Sequence, residues 1–204
     1  MRARDVPAHL LSNRLIHGGI QGWAQHTLFN FSEDPGIAQF IPRPLQVASD
    51  RPVGREWLNS PLVRAIEESH QRLYLFPREC PRMLLWATPK TTAADAAQWL
   101  EGNPRQPLAI IERAWLERLQ LAKITRFEMP VAMFTDTQDA GMRVSRTAVN
   151  PLDKGTLTNL PAQLAESGTE LRVVESLLPW QHVSSVHASG IRLRNPKDWP
   201  QKPA

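Results

Sequence analysis

The sequence predicts an α+β protein: one domain with a mixed, mostly antiparallel sheet, short helices and long proline-rich loops. Three observations carry this. Short β-type runs and short helical runs intermix along the chain, and few helical patterns exceed three turns, as when strands and helices share one core. The chain holds 18 prolines and 10 glycines, and proline, with its fixed φ and missing N–H, breaks ladders and helices into short pieces. Finally, 204 residues at 42% hydrophobic and 22% charged suit a globular domain that buries roughly 70% of its unfolded surface and needs no disulfide or metal to fold.

Taken in order, residues 1–27 read as a basic, loosely ordered extension, with Arg2, Arg4 and Arg14 among His9, His17 and His26 and a Gly18-Gly19 break. The apolar run 27–31 suits a first strand. Residues 32–36 turn into a short helix with Ser32 or Asp34 as its N-cap. From 41 to 60 the chain is a proline-interrupted loop carrying Arg43, Arg51, Arg55 and Trp57, of a length typical of lids and binding loops. Two strands, 72–76 and 82–86, flank a turn at 77–81 whose prolines forbid a continuous ladder. Thr92-Ala93-Ala94-Asp95 is a capping-box-like start for a helix that runs through Trp99 and stops at Gly102.

A strand follows at 109–112, a second helix at 115–120, and an alternating strand at 124–129 that ends on Pro130. Pro161 at N1 and Gly168 past the end bracket a helix over 162–166. Residues 171–174 and 186–193 supply the last strands, and 195–204, with three prolines and two lysines, read as a frayed end. The globular domain is therefore expected over 28–199, with 200–204 a tail.

Composition excludes several functional classes. No apolar run approaches the roughly eighteen residues of a membrane span. GxxxxGK[ST], GxGxxG and GxSxG are all absent, which argues against P-loop NTPases, simple Rossmann enzymes and serine esterases. The six histidines and single cysteine show no metal-ligand spacing, so no metal is expected. Cys80 cannot pair internally, and without a leader pattern a reducing cytoplasm is the default. Of 24 basic residues 19 are arginine, and the planar guanidinium fork suits phosphate or carboxylate; codon usage in a GC-rich genome produces the same bias. A net charge of +4 permits a nucleic-acid partner, but the bases are interleaved with 20 acids rather than clustered.

Three groups of residues have the composition for chemistry. The segment FPRECPR, 76–82, holds two arginines, an acid and a thiol between two prolines. Arg78 and Arg82 suit an anion clamp, and Cys80 is either an activated nucleophile or, more commonly for a lone cysteine, a buried small hydrophobe. The polar stretch just before it contributes His70 and Tyr74. The second group is Asn30 with Ser32 and Glu33 at the end of the first strand, either presenting donors to a ligand or closing a turn. The third is Arg126-Phe127-Glu128, where an acid between apolar neighbours either aims into a cleft or faces solvent.

Four blocks carry a resemblance: FSEDPGIAQFIPRP (31–44), REWLNSPLVRAIEESHQRLYLFPRECPR (55–82), DAGMRVSR (139–146) and HASGIRLRN (187–195). They resemble a family of bacterial proteins catalogued as a domain of unknown function, over about residues 28–199. The order of motifs is also similar to that of the ADP-ribosyltransferase-like fold, which has a histidine and a serine on the first strand, then a tyrosine, then an acid on a later strand. That similarity implies a catalytic set of Asn30, Tyr74 and Glu128. It implies NAD or a phosphorylated ribose compound as the small anionic or nucleotide-like ligand. Ser32, Arg43, His70, Arg78 and Arg82 complete the candidate site as substrate-binding residues. Asn30 stands where the family usually has histidine and Arg64 where it usually has tryptophan. Asparagine still hydrogen-bonds a ribose hydroxyl but carries no imidazole charge. The expectations are thus a nucleotide- or NAD-type transferase, or a non-catalytic binding module for a small anion, with a nucleic-acid-binding protein third.

Overall fold

Alternating burial builds the strands, and proline and glycine end them. The computed structural model describes residues 27–45, 51, 53–180 and 183. Nine strands and three α-helices follow in chain order: β1 (Leu28–Ser32), β2 (Val63–Glu67), β3 (Arg82–Leu85), α1 (Ala93–Trp99), β4 (Leu108–Glu112), α2 (Leu116–Leu121), β5 (Ile124–Met129), β6 (Thr135–Asp136), β7 (Met142–Ser145), β8 (Asp153–Leu157), α3 (Leu160–Glu166) and β9 (Glu170–Val174). Six strands form an antiparallel sheet in the order β6-β7-β2-β1-β5-β8. The other three form a smaller mixed sheet, β3-β4-β9, with β4 and β9 parallel. The α+β class and the mainly antiparallel pairing match the sequence expectation, with the strands shared between two sheets. Among the described residues no helix is long and apolar enough to cross a membrane.

Side chains opposite one another on an antiparallel pair share a face, so the register sorts the large sheet into two sides. One side carries Leu28, Val63, Ala65, Phe127 and Met129, covered by Ile37 and Phe40 of the segment after β1. The other carries Phe29, Ile66 and Ile124 and packs on Leu84, Ala109 and Ile111 of the small sheet, with Leu119 of α2 and Leu160 and Leu164 of α3 between. The far face of the small sheet, Met83, Leu85, Leu108 and Ile110, is closed by Leu100, Trp99 and Trp180. The two sheets therefore share a single main core.

Some local expectations are corrected. No helix follows β1. Ser32 Oγ accepts the Asp34 N–H at 3.1 Å, and Asp34 Oδ1 accepts the Gly36 N–H at 2.7 Å, so the capping side chains close two successive turns instead. Residues 72–76 are not a strand. A 3₁₀ helix spans Glu68–Tyr74, and the strand of this region is β2, ahead of it. Strands β6 and β8 escaped the periodicity because they are edges: β6 is exposed throughout and β8 nearly so, leaving no apolar alternation to read. The long loop is anchored by the bridge Arg43↔Leu62 and a 3₁₀ turn over Glu56–Asn59. Residues 1–26 of the extension expected over 1–27, the strand at 186–193 and the tail lie outside the described residues.

Candidate functional site

The site begins at a defect in the large sheet. Strand β1 pairs with β5 along its whole length, from Leu28↔Met129 to Ser32↔Thr125, and β2 pairs with β7 from Ile66↔Met142 to Val63↔Ser145. Between β1 and β2 the ladder contains only Leu28↔Glu67 and Phe29↔Ile66. Beyond Phe29 the two strands part, each held by its outer neighbour. Asn30 spans the gap: its Nδ2 donates to the Arg64 carbonyl at 2.7 Å, a side-chain bond where a ladder bond is missing. The two positions at which the chain departs from the resembled pattern are thus in contact.

The parting opens a cavity of about 240 Å³ that runs through the sheet. Its walls are β1 residues 29–32, β2 residues 63–66 and the segment 37–43, which is pinned by the Phe40↔Val149 and Arg43↔Leu62 bridges. Tyr74 and Phe76 close it from the side of the 3₁₀ helix. Tyr74 stacks on Phe31 with centroids 5.9 Å apart and planes within 11°, a rigid aromatic surface.

Four arginines line this cavity, Arg43, Arg64, Arg78 and Arg82, against one carboxylate, Glu33. Arg82 is 3% exposed. Its two terminal nitrogens donate to the Cys80 and Leu73 carbonyls, each at 3.1 Å, and its guanidinium lies 4.7 Å over the Phe76 ring. The fork therefore ties the end of the 3₁₀ helix, and with it Tyr74, to the FPRECPR turn. Arg64 folds back on carbonyls, with Nη2 3.0 Å from Leu58 O and Nη1 3.4 Å from Leu62 O. Arg43 and Arg78 are exposed at the rim. The Arg78 N–H donates to Glu33 Oε1 at 2.9 Å, and its side-chain approach to Glu79 at 3.9 Å is a solvated pair of little worth.

The cavity thus brings together Asn30, Ser32, Arg43, Tyr74, Arg78 and Arg82. Glu128 is elsewhere. It is not among the lining residues, although Phe29, its partner across the ladder, is, and it lies on the opposite face of the sheet from Asn30 and Ser32, which pair with Phe127 and Thr125. His70 also stands apart, with Nδ1 2.9 Å from Ser69 Oγ and its ring edge-on to Trp86 at 6.5 Å. Cys80 is fully buried. Burial pushes its thiol up to about 11, outweighing the pull of Arg82 and Arg118, so it is a packed side chain and not an activated nucleophile. Gln39, Phe31 and Phe76 were not anticipated as lining residues. The two phenylalanines carry no sequence signal that separates a cavity wall from a core. Among the described residues no group of three His, Cys, Asp or Glu side chains is placed to hold a metal.

No curated protein matches the chain, and no solved structure does. A family model, described as a family of unknown function (DUF6886), matches residues 29–196, a span that contains both sheets, Leu28 excepted, and every residue lining the cavity. The chain belongs to the DUF6886 family, whose function is unknown.

Proposed function

We propose that the protein binds a small anionic, ring-bearing ligand of mononucleotide size in the cleft between β1 and β2. The supporting observation is the convergence of Arg43 and Arg78 with the Phe31–Tyr74 stack, held by the buried Arg82, and the Asn30 carboxamide on one cavity. Arginine forks suit phosphate oxygens, the stacked rings offer an edge to a heterocycle, and the carboxamide suits a sugar hydroxyl. The positive excess steers anions inward. At about 240 Å³ the cavity lies below the roughly 300–1,000 Å³ of typical ligand pockets, so it suits a mononucleotide better than an entire NAD molecule. Calorimetry with inorganic phosphate, ribose 5-phosphate, AMP and NAD tests this. AMP binds, and Arg78→Ala or Arg43→Ala, both at the rim, weakens it about tenfold, or about 1.4 kcal/mol, without lowering the thermal midpoint. Binding of none of the four ligands at millimolar concentration removes the reading.

An ADP-ribosyl-type transfer is the second reading, favoured by the carboxylate of Glu33 at the cavity. A carboxylate there stabilises positive charge developing on a ribose carbon as its bond to the leaving base breaks and a bond to water or another acceptor oxygen forms, the acceptor's proton passing to solvent. It is Glu33, rather than Glu128, that has the position for this role. Mass spectrometry after incubation with NAD would detect released nicotinamide. Release that continues undiminished in Glu33→Gln removes this reading.

A further inference from the structure

We infer that the arginine-lined cavity continues into a second one and that a single ligand spans both; the inference rests on the binding reading above. The second cavity, about 450 Å³ and more open, is bounded by Glu33 and by Glu117, Arg118, Leu121, Ala122 and Lys123 of α2 and the turn after it. Two places in the chain join it to the first. Glu33 lines both cavities. Lys123 lines the second while its neighbour Ile124, the first residue of β5, lines the first. Register explains this: the β1–β5 ladder ends at Ser32↔Thr125, so Glu33 and Ile124 emerge side by side just past its last rung. A ligand passing this rung leaves one cavity, meets Glu33 and enters the other.

The two cavities differ in chemistry. In the first, the exposed Arg43 and Arg78 outnumber the one carboxylate, Glu33, while Arg64 and Arg82 are turned to backbone carbonyls. In the second, Arg118 and Lys123 are balanced by Glu33 and Glu117, and the Arg118 guanidinium is laid 4.8 Å over the Trp115 ring. Leu121, 72% exposed, adds an apolar edge. Charge balance with an exposed leucine suits an uncharged group with both hydroxyls and an apolar face, such as a sugar ring, and not a second cluster of phosphates. At the junction Glu33 accepts the Arg78 N–H on Oε1. A carboxylate has lone pairs for further donors, and a sugar hydroxyl is the natural one. The ligand class is therefore a nucleotide that carries an uncharged sugar beyond its phosphates.

Calorimetry on the full chain with AMP, ADP and ADP-ribose tests this, using Leu121→Glu as the variant because that side chain is solvent-exposed. ADP-ribose binds about tenfold tighter than ADP, and Leu121→Glu shrinks this margin to about twofold or less while AMP affinity stays unchanged. If ADP-ribose binds no tighter than ADP, or if Leu121→Glu weakens AMP and ADP-ribose alike, the spanning ligand is overturned and binding at the first cavity stands. If none of the three binds, the binding reading itself falls and this inference falls with it. An unchanged thermal midpoint shows that Leu121→Glu is folded.

Discussion

Cys80 and Arg82 lie two residues apart in one stiff turn, and burial acts on them in opposite ways. The thiol is 0% exposed and neutral, with its Sγ donating to the Pro81 carbonyl at 3.5 Å. Its folded-state value, pushed from 9.0 to about 11 by burial, exceeds the unfolded one. The thiol therefore contributes stability that is fully present below about pH 9 and is lost as pH rises toward 11. Alkaline unfolding monitored by circular dichroism should show that loss, and Cys80→Ala should flatten the curve across the same window. Iodoacetamide at neutral pH should leave the native thiol unmodified and label it once the chain is unfolded; rapid native labelling would contradict the burial. Arginine cannot shed its charge, so Arg82 lies buried by spreading its donors over two carbonyls and an aromatic face. The FPRECPR segment announced both a thiol and an anion clamp. Which arginine is buried and which sits at the rim depends on the neighbours that the fold supplies.

The informative elements are the ones that contradict local periodicity. The 3₁₀ helix Glu68–Tyr74 places Leu73 inward, exposes Glu68 and Ser69 and leaves Gln71 and Arg72 half-buried, and Gln71 Oε1 accepts from Arg126 Nη1 of β5 at 3.0 Å. A strand reading of the same residues was reasonable from their composition. They form the 3₁₀ helix instead, and β3 is left as an edge strand that pairs with β4 alone. The loop between β6 and β7 closes against this helix through Gly141, which has φ +72° and whose added Cβ would lie 2.7 Å from His70 Nδ1. Gly141→Ala should therefore lower stability by about 1–3 kcal/mol through both strain and contact. Gly155→Ala on the edge strand β8, with nothing within 4 Å, should change stability by about 0.5 kcal/mol or less. Urea denaturation of the two variants separates these effects, and equal midpoints would show that the His70 contact carries no weight. The helix at 92–99 behaved differently. Thr92 accepts the Asp95 N–H at 3.1 Å and caps α1 as its sequence predicts, because a cap is a contact made within four residues.

At the scale of the molecule, the two sheets are joined by one core. Phe29 and Ile66 of the large sheet, Leu84 and Ile111 of the small one, and Leu119, Leu160 and Leu164 of the helices pack in a single cluster. The sheets should consequently unfold together. Ile66→Ala and Leu84→Ala, one on each sheet, should each cost about 2–5 kcal/mol and move one shared calorimetric transition. Two separable transitions, with each variant shifting only its own, would show that the sheets are independent units. The α+β class, α1 to α3 and the strands β1, β3, β4, β5 and β9 are legible in the sequence because each of these signals is local, whereas β2 and β7, which also bury apolar residues, are not read from it. The sequence also placed Asn30, Ser32, Arg43, Tyr74, Arg78 and Arg82 among the candidate residues. That these six meet at the split between β1 and β2 while Glu128 is absent from its lining follows from the fold. The pairing of β1 with β2 and with β5 joins residues more than thirty positions apart, and a one-residue shift of register exchanges the two faces of a sheet; nothing in the local pattern encodes where the ladder between β1 and β2 stops.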